Sequence, residues 1–174
     1  TESMGRPTIT AIIEERTNNG DFHSMQDFIT RMAGVINKRT VEHLILAGAF
    51  DTFGNTRRGM MNVYERMIDS AVKQNKDAIS GQMSLFDFVS EEDKQSLEMK
   101  VPDIQEFEKE DLLEREKEVL GVYVTGHPLD EYTGMWEKHI SARSTDFLID
   151  EETGQAKLMI GSKQTIGGLI SNIK

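Results

Sequence analysis

Apolar residues in the first 76 positions recur at helical spacing, in four runs separated by capping residues. Ile9, Ile12 and Ile13 fall at i, i+3 and i+4. With Pro7 at a helix-start position, they predict a helix from about Pro7 to Thr17. Asn18-Asn19-Gly20 ends it, with Gly20 free to take a left-handed cap conformation. Ser24 with Asp27 three residues on reads as a capping box, followed by the apolar face Met25, Phe28, Ile29 and Met32. Asn37 caps a third helix lined by Val41, Leu44, Ile45 and Ala47 and closed by Gly48. The fourth runs from about Thr56 to Lys76, with Met60, Val63, Tyr64, Met67, Ile68, Ala71 and Val72 on one side. Four helices with short connections make a small helical unit.

The pattern then changes. Residues 87–103 are acidic and mixed and read as loop. A helix follows from about Glu106 to Leu120, where Phe107, Leu112, Leu113, Val119 and Leu120 interrupt dense Glu and Lys. The alternating charges of Glu114 to Glu118 read as a solvated face. Gly121 ends this helix, and Gly126-His127-Pro128 makes a turn in which His127 has a structural part. Tyr132 and Trp136 are expected to anchor the following segment onto a neighbour. From Thr165 to Lys174 the alternation reads as a β-strand, with glycines where a barrel strand must bend.

Between the two regions stands Gln82-Met83-Ser84-Leu85-Phe86, an amide, two spacers and an aliphatic-aromatic pair. Lys73–Asp77 before it and Glu91-Glu92-Asp93 after it are polar. A lone apolar pair in such surroundings suggests an extended peptide offered to a partner. Leu85 and Phe86 would fill a pocket, and the Gln82 amide would bond at its rim.

The chain has 174 residues, of which 37 % are hydrophobic, so a modest core with solvated linker is expected. It has no Cys, which excludes disulfides and thiol chemistry and fits a reducing cytoplasm. No run approaches the roughly 18 apolar residues of a membrane span. The net charge of −10 is unevenly placed. Residues 1–76 carry 10 Lys/Arg against 9 Asp/Glu, whereas residues 77–174 carry 10 against 21. The first part can approach a phosphate backbone and the second would be repelled, so removing residues 77–174 is expected to strengthen DNA binding. The basic residues of the first part cluster at helix starts: Arg6, Lys38-Arg39 and Arg57-Arg58. Helix N-termini and adjacent guanidinium groups both bind phosphate, so this grouping points to contact with a nucleic-acid backbone without sequence readout. His23 and His43 have no ligand partners at metal spacing, and no catalytic or metal residue is assigned.

Two longer blocks carry a resemblance. The first is Asn37-Lys38-Arg39, Glu42, Leu44-Ile45, Ala47-Gly48-Ala49-Phe50-Asp51 and Arg57-Arg58. The second is Glu116 to Tyr123 followed by Thr125-Gly126-His127-Pro128-Leu129. In this order and separation they resemble the bacterial DNA polymerase III alpha subunits, over nearly the whole chain to about Thr133. The resemblance implies a mainly α piece of a longer, cytoplasmic protein. Its parts would be a helix-hairpin-helix DNA-binding unit at 1–76 and a flexible linker at 77–105 carrying the clamp-binding peptide Gln82–Phe86. A helical connector would occupy 106–140, and 141–174 would begin an OB-fold whose barrel is incomplete. Implied partners are the double-stranded DNA backbone, the ring-shaped sliding clamp and other polymerase III holoenzyme subunits. The Mg²⁺ of the parent polymerase would be held upstream, leaving this segment non-catalytic and without a cofactor. The family's hairpin is glycine-x-glycine, whereas the matching positions are Ser3-Met4-Gly5, where only the second glycine is kept. Ser3 and Gly5 remain phosphate candidates through their amides. The alternative is a stand-alone helical adaptor that docks an unrelated protein through Gln82–Phe86.

Overall fold

The computed structural model describes residues 4–79, 99–151 and 154–170, so Ser3 and the Gln82–Phe86 peptide lie outside the described residues. The chain divides into two compact units, one reaching to Val124 and the other starting at Thr125.

The first unit is helical: α1 Arg6–Asn19, α2 Met25–Arg31, α3 Lys38–Leu46, α4 Arg57–Ile79 and α5 Lys109–Leu120. The Ser24, Asn37 and Gly121 signals act as expected, whereas Gly20 does not take the left-handed cap conformation. The Ser24 hydroxyl accepts the Asp27 N–H at 3.0 Å, while the Asp27 carboxylate accepts from His23 N. Asn37 accepts from Thr40 N at 2.8 Å. Gly20 has φ 84° and ψ 177°, a positive-φ stop that lies off the left-handed helical region. Gly121 closes α5 with φ 78° and ψ −8°.

Met25, Phe28, Ile29 and Met32 of the α2 segment, Val41 and Ile45 of α3, and Met60, Val63, Tyr64, Met67, Ile68 and Ala71 of α4 form one buried core. The methionines are core packing, where an unbranched thioether fills irregular gaps. Phe22, Phe28, Phe50 and Phe53 continue it as a chain of ring contacts at 5.0, 5.1 and 5.8 Å. α1 is more loosely held. Only Ala11 and Ile12 pack against the core, while Ile9 and Ile13 are exposed. What ties it down is Arg31, which reaches Glu15 at 2.8 Å and the carbonyl of Gly20 at 2.9 Å while lying over the Phe22 ring.

Residues 99–103 are irregular, as expected of a loop, and the irregular stretch runs on past Glu106, where a helix is expected, but these residues are not a free linker. Met99 and Val101 pack against the core, and Met99 N donates to Gln26 Oε1 at 3.0 Å. Thr56 Oγ1 donates to Ile104 O at 3.1 Å. The return segment lies so close to α4 that a Cβ on Gly59 would stand 2.6 Å from Pro102 O. The segment from Met99 to Val124 therefore belongs to the helical unit, and the expected connector 106–140 is divided at Val124.

The second unit holds α6 Thr133–His139 and short turns at Asp130–Tyr132 and Ser144–Phe147. His127 builds its turn: its N–H meets Asp130 Oδ2 at 2.7 Å, and its Nδ1 accepts from Leu129 N. The strand expected from Thr165 is not formed among the described residues. A strand exists by its ladder to a neighbour, and here Thr165 is paired with Ser141, its O accepting from Ser141 N at 3.0 Å and its N–H donating to Ser141 Oγ at 2.9 Å. A single antiparallel bridge joins Ile149 and Ala156. Gly167 has a role other than barrel bending: the Trp136 ring lies where its Cβ would be, with Ile140 beside it.

Candidate nucleic-acid interface

The basic residues at the helix starts do not share one environment. Arg6 is exposed at the start of α1. The preceding Gly5 is extended at φ −67° and ψ 152°, a conformation open to any residue, and no side chain caps this helix. Gly5 O accepts the first turn's bonds, from Thr8 N at 3.1 Å and Ile9 N at 3.3 Å.

Arg39 on α3 is exposed. Its neighbour Lys38 leans onto α4, where Nζ meets Asp69 at 3.0 Å and Glu65 at 3.4 Å. The Asp69 hydrogen bond, with help from Glu65, raises the Lys38 ammonium above its usual range. Lys38 is thus charged but partly answered by its own fold.

Arg57 corrects the sequence expectation. It is only 3 % exposed, with Nη2 at 2.6 Å and Nε at 2.9 Å from the Asp51 carboxylate and Nη1 at 3.1 Å from Leu46 O. Nη1 also lies 3.4 Å from Glu116, which is fully buried. The Asp51 hydrogen bond is the main cause that raises the guanidinium pKa further. No phosphate can reach Arg57 while these partners hold it. Glu116 likewise departs from the solvated face read from its charged surroundings.

The start of α4 is also closed as an anion site. Glu106 accepts Arg57 N at 2.6 Å and Arg58 N at 2.9 Å. Thr56 Oγ1 accepts Gly59 N at 3.0 Å, and Thr56 O accepts Met60 N at 3.0 Å. Three of the amides that a helix start leaves open, those of Arg57, Arg58 and Gly59, are therefore taken. Arg58 keeps an exposed guanidinium and contributes side-chain charge alone. The open cations of the predicted set are then Arg6, Arg39 and Arg58, each beginning a different helix, with Lys38 half engaged. Among the described residues no group of three or more His, Asp or Glu is placed to hold a metal ion. No helix there is long and apolar enough to cross a membrane.

Glu106 and Glu116 carry no local signal of their partners at the start of α4, which lie 48 to 59 residues away. The burial of Arg57 and of Glu116 was nevertheless written in the periodicity. Arg57 stands three residues before Met60 and seven before Tyr64, and Glu116 stands three from both Leu113 and Val119, all core positions.

A family model described as a helix-hairpin-helix motif matches residues 2–60. Beyond that motif, the chain is homologous to DNA polymerase III alpha subunits. It is 34 % identical to that of Chlamydia pneumoniae over 167 residues, covering 87 % of this chain and 14 % of the relative. It is 33 % identical to that of Campylobacter jejuni over 172 residues, with 98 % and 14 % covered. With that of Escherichia coli strain K12 it shares 33 % over 140 residues, with 80 % and 12 % covered. The chain thus spans about one-seventh of the length of these relatives.

Proposed function

We propose that the chain is a non-catalytic segment of a bacterial replicative DNA polymerase, working in the cytoplasm with other holoenzyme subunits. In this reading it contacts the duplex backbone and tethers the polymerase to the sliding clamp. The observation that carries the reading is the homology to DNA polymerase III alpha subunits over most of the chain, with the helix-hairpin-helix match placed just before the Gln82–Phe86 peptide. Arg6, Arg39 and Arg58 meet phosphates, with Ser3 and Gly5 offering amides at the uncapped start of α1. Lys38 contributes in part, and Arg57 is withdrawn from the set. The Glu106 and Glu116 carboxylates are committed to backbone amides and to Arg57.

Clamp binding would rest on Leu85 and Phe86, whose burial contributes roughly 1.5–3 kcal/mol each. Ordering the five-residue peptide costs roughly 1–2 kcal/mol per residue of backbone. The isolated contact is therefore weak, and it becomes strong when DNA held by the polymerase and encircled by the clamp makes it effectively intramolecular.

Two measurements on the purified chain test this. Duplex affinity should fall with salt at a log–log slope of about −3, from three phosphates at roughly 0.9 each, and the triple change of Arg6, Arg39 and Arg58 to Ala should abolish it. Clamp binding should vanish in Leu85→Ala/Phe86→Ala. A salt-indifferent affinity would remove the DNA part. Undiminished clamp binding by the double variant would remove the clamp part, and a peptide that binds an unrelated protein instead would make the chain an adaptor.

A further inference from the structure

We infer that Glu116 is a positioning residue that fixes the point where the chain leaves the first unit to the ends of helices α3 and α4. Its two carboxylate oxygens serve different elements. Oε1 faces the Arg57 guanidinium, at 3.4 Å from Nη1 and 3.5 Å from Nη2. Oε2 accepts the Val124 N–H at 2.7 Å. Arg57 in turn holds Leu46 O at the end of α3, at 3.1 Å. A continuous polar chain therefore runs from α3 through the first residue of α4 and the middle of α5 to the last residue of the unit. Val124 is itself 65 % exposed, so apolar packing does not hold it in place. The turn between α5 and Val124 is braced from the same helix, by Gly121 N on Lys117 O at 2.7 Å and by Lys117 Nζ on the Tyr123 hydroxyl at 3.2 Å.

A carboxylate that served only to neutralise Arg57 would need no bond to Val124. One that served only the turn would need no burial against a guanidinium. Holding both makes the exit of the chain move with the helices that present Arg39 and Arg58. The inference does not depend on DNA being the partner.

Two variants of the whole chain test it. Glu116→Gln keeps the shape but loses the charge that satisfies both donors. Arg57→Met/Glu116→Leu replaces the buried pair by apolar groups, which such sites often tolerate, and removes the acceptor for Val124. In either variant that stays folded, the Val124 amide should exchange at least tenfold faster while the Leu113 amide keeps its protection. A folded variant in which the Val124 amide keeps its protection would overturn the inference.

Discussion

Replacing Arg57 by alanine separates a buried structural arginine from a DNA contact, because Arg58 beside it supplies the internal comparison. The guanidinium is 3 % exposed and Glu116 is fully buried, so truncation takes the guanidinium away from a buried carboxylate. Breaking one side of a buried pair typically costs about 3–5 kcal/mol. Leu46 O also loses its donor, an unmet buried acceptor that costs about 1–3 kcal/mol unless water enters. Asp51 is 45 % exposed and turns to solvent, so it adds little. The expected loss is therefore near 4 kcal/mol, a large share of the roughly 5–15 kcal/mol that holds a domain together. Arg58→Ala, by contrast, removes a solvated side chain whose backbone amide stays on Glu106, and should cost less than about 0.5 kcal/mol. Urea unfolding followed by circular dichroism gives both numbers, and fluorescence anisotropy on a labelled duplex gives the salt slopes. Arg58→Ala should lower the slope magnitude by about 0.9 with stability intact. Arg57→Ala should shift the unfolding midpoint and, wherever it is still folded, leave the slope alone. If Arg57→Ala keeps its stability and loses slope as Arg58→Ala does, the buried network described here does not hold in solution.

Three other outcomes follow from the same packing. A chain ending at residue 76 lacks Met99, Val101, Glu106 and Glu116, so it should unfold without cooperativity, whereas one ending at Val124 should melt as a unit; gain of DNA affinity by a folded 1–76 fragment would refute this. Gly167→Ala places a methyl group where the Trp136 ring lies, and because Trp136 is the only tryptophan, its emission should shift to the red as the ring is displaced. The Tyr64 phenol is pushed up to about 12 by burial, with Glu42 and Glu65 adding to it. The unfolded chain then releases this proton first, so stability is full below about pH 10 and falls toward pH 12, by at most about 1.4 kcal/mol per pH unit. Tyr64→Phe should flatten that decline.

The helices of the first unit were legible in the sequence because their signals are local. Ser24 with Asp27, Asn37 with Thr40, and Gly121 act within three or four residues of the ends they define, and the apolar spacing of Met60 to Ala71 faces a core whatever covers it. Charge was legible only as composition. Arg57 and Arg58 are adjacent and alike, yet successive helical residues point about 100° apart, so one enters the core and the other meets solvent. Which carboxylates wait there was decided by tertiary structure: Glu106 and Glu116 come from the return segment, across a sequence separation that no periodicity spans. The same holds for Thr165 to Ile170, whose alternation marks a chain able to pair, while the pairing itself belongs to a neighbouring strand. Sequence thus determined which faces turn inward. Only the assembled fold decided what each inward charge would meet, because a desolvated ion is stable only beside a partner.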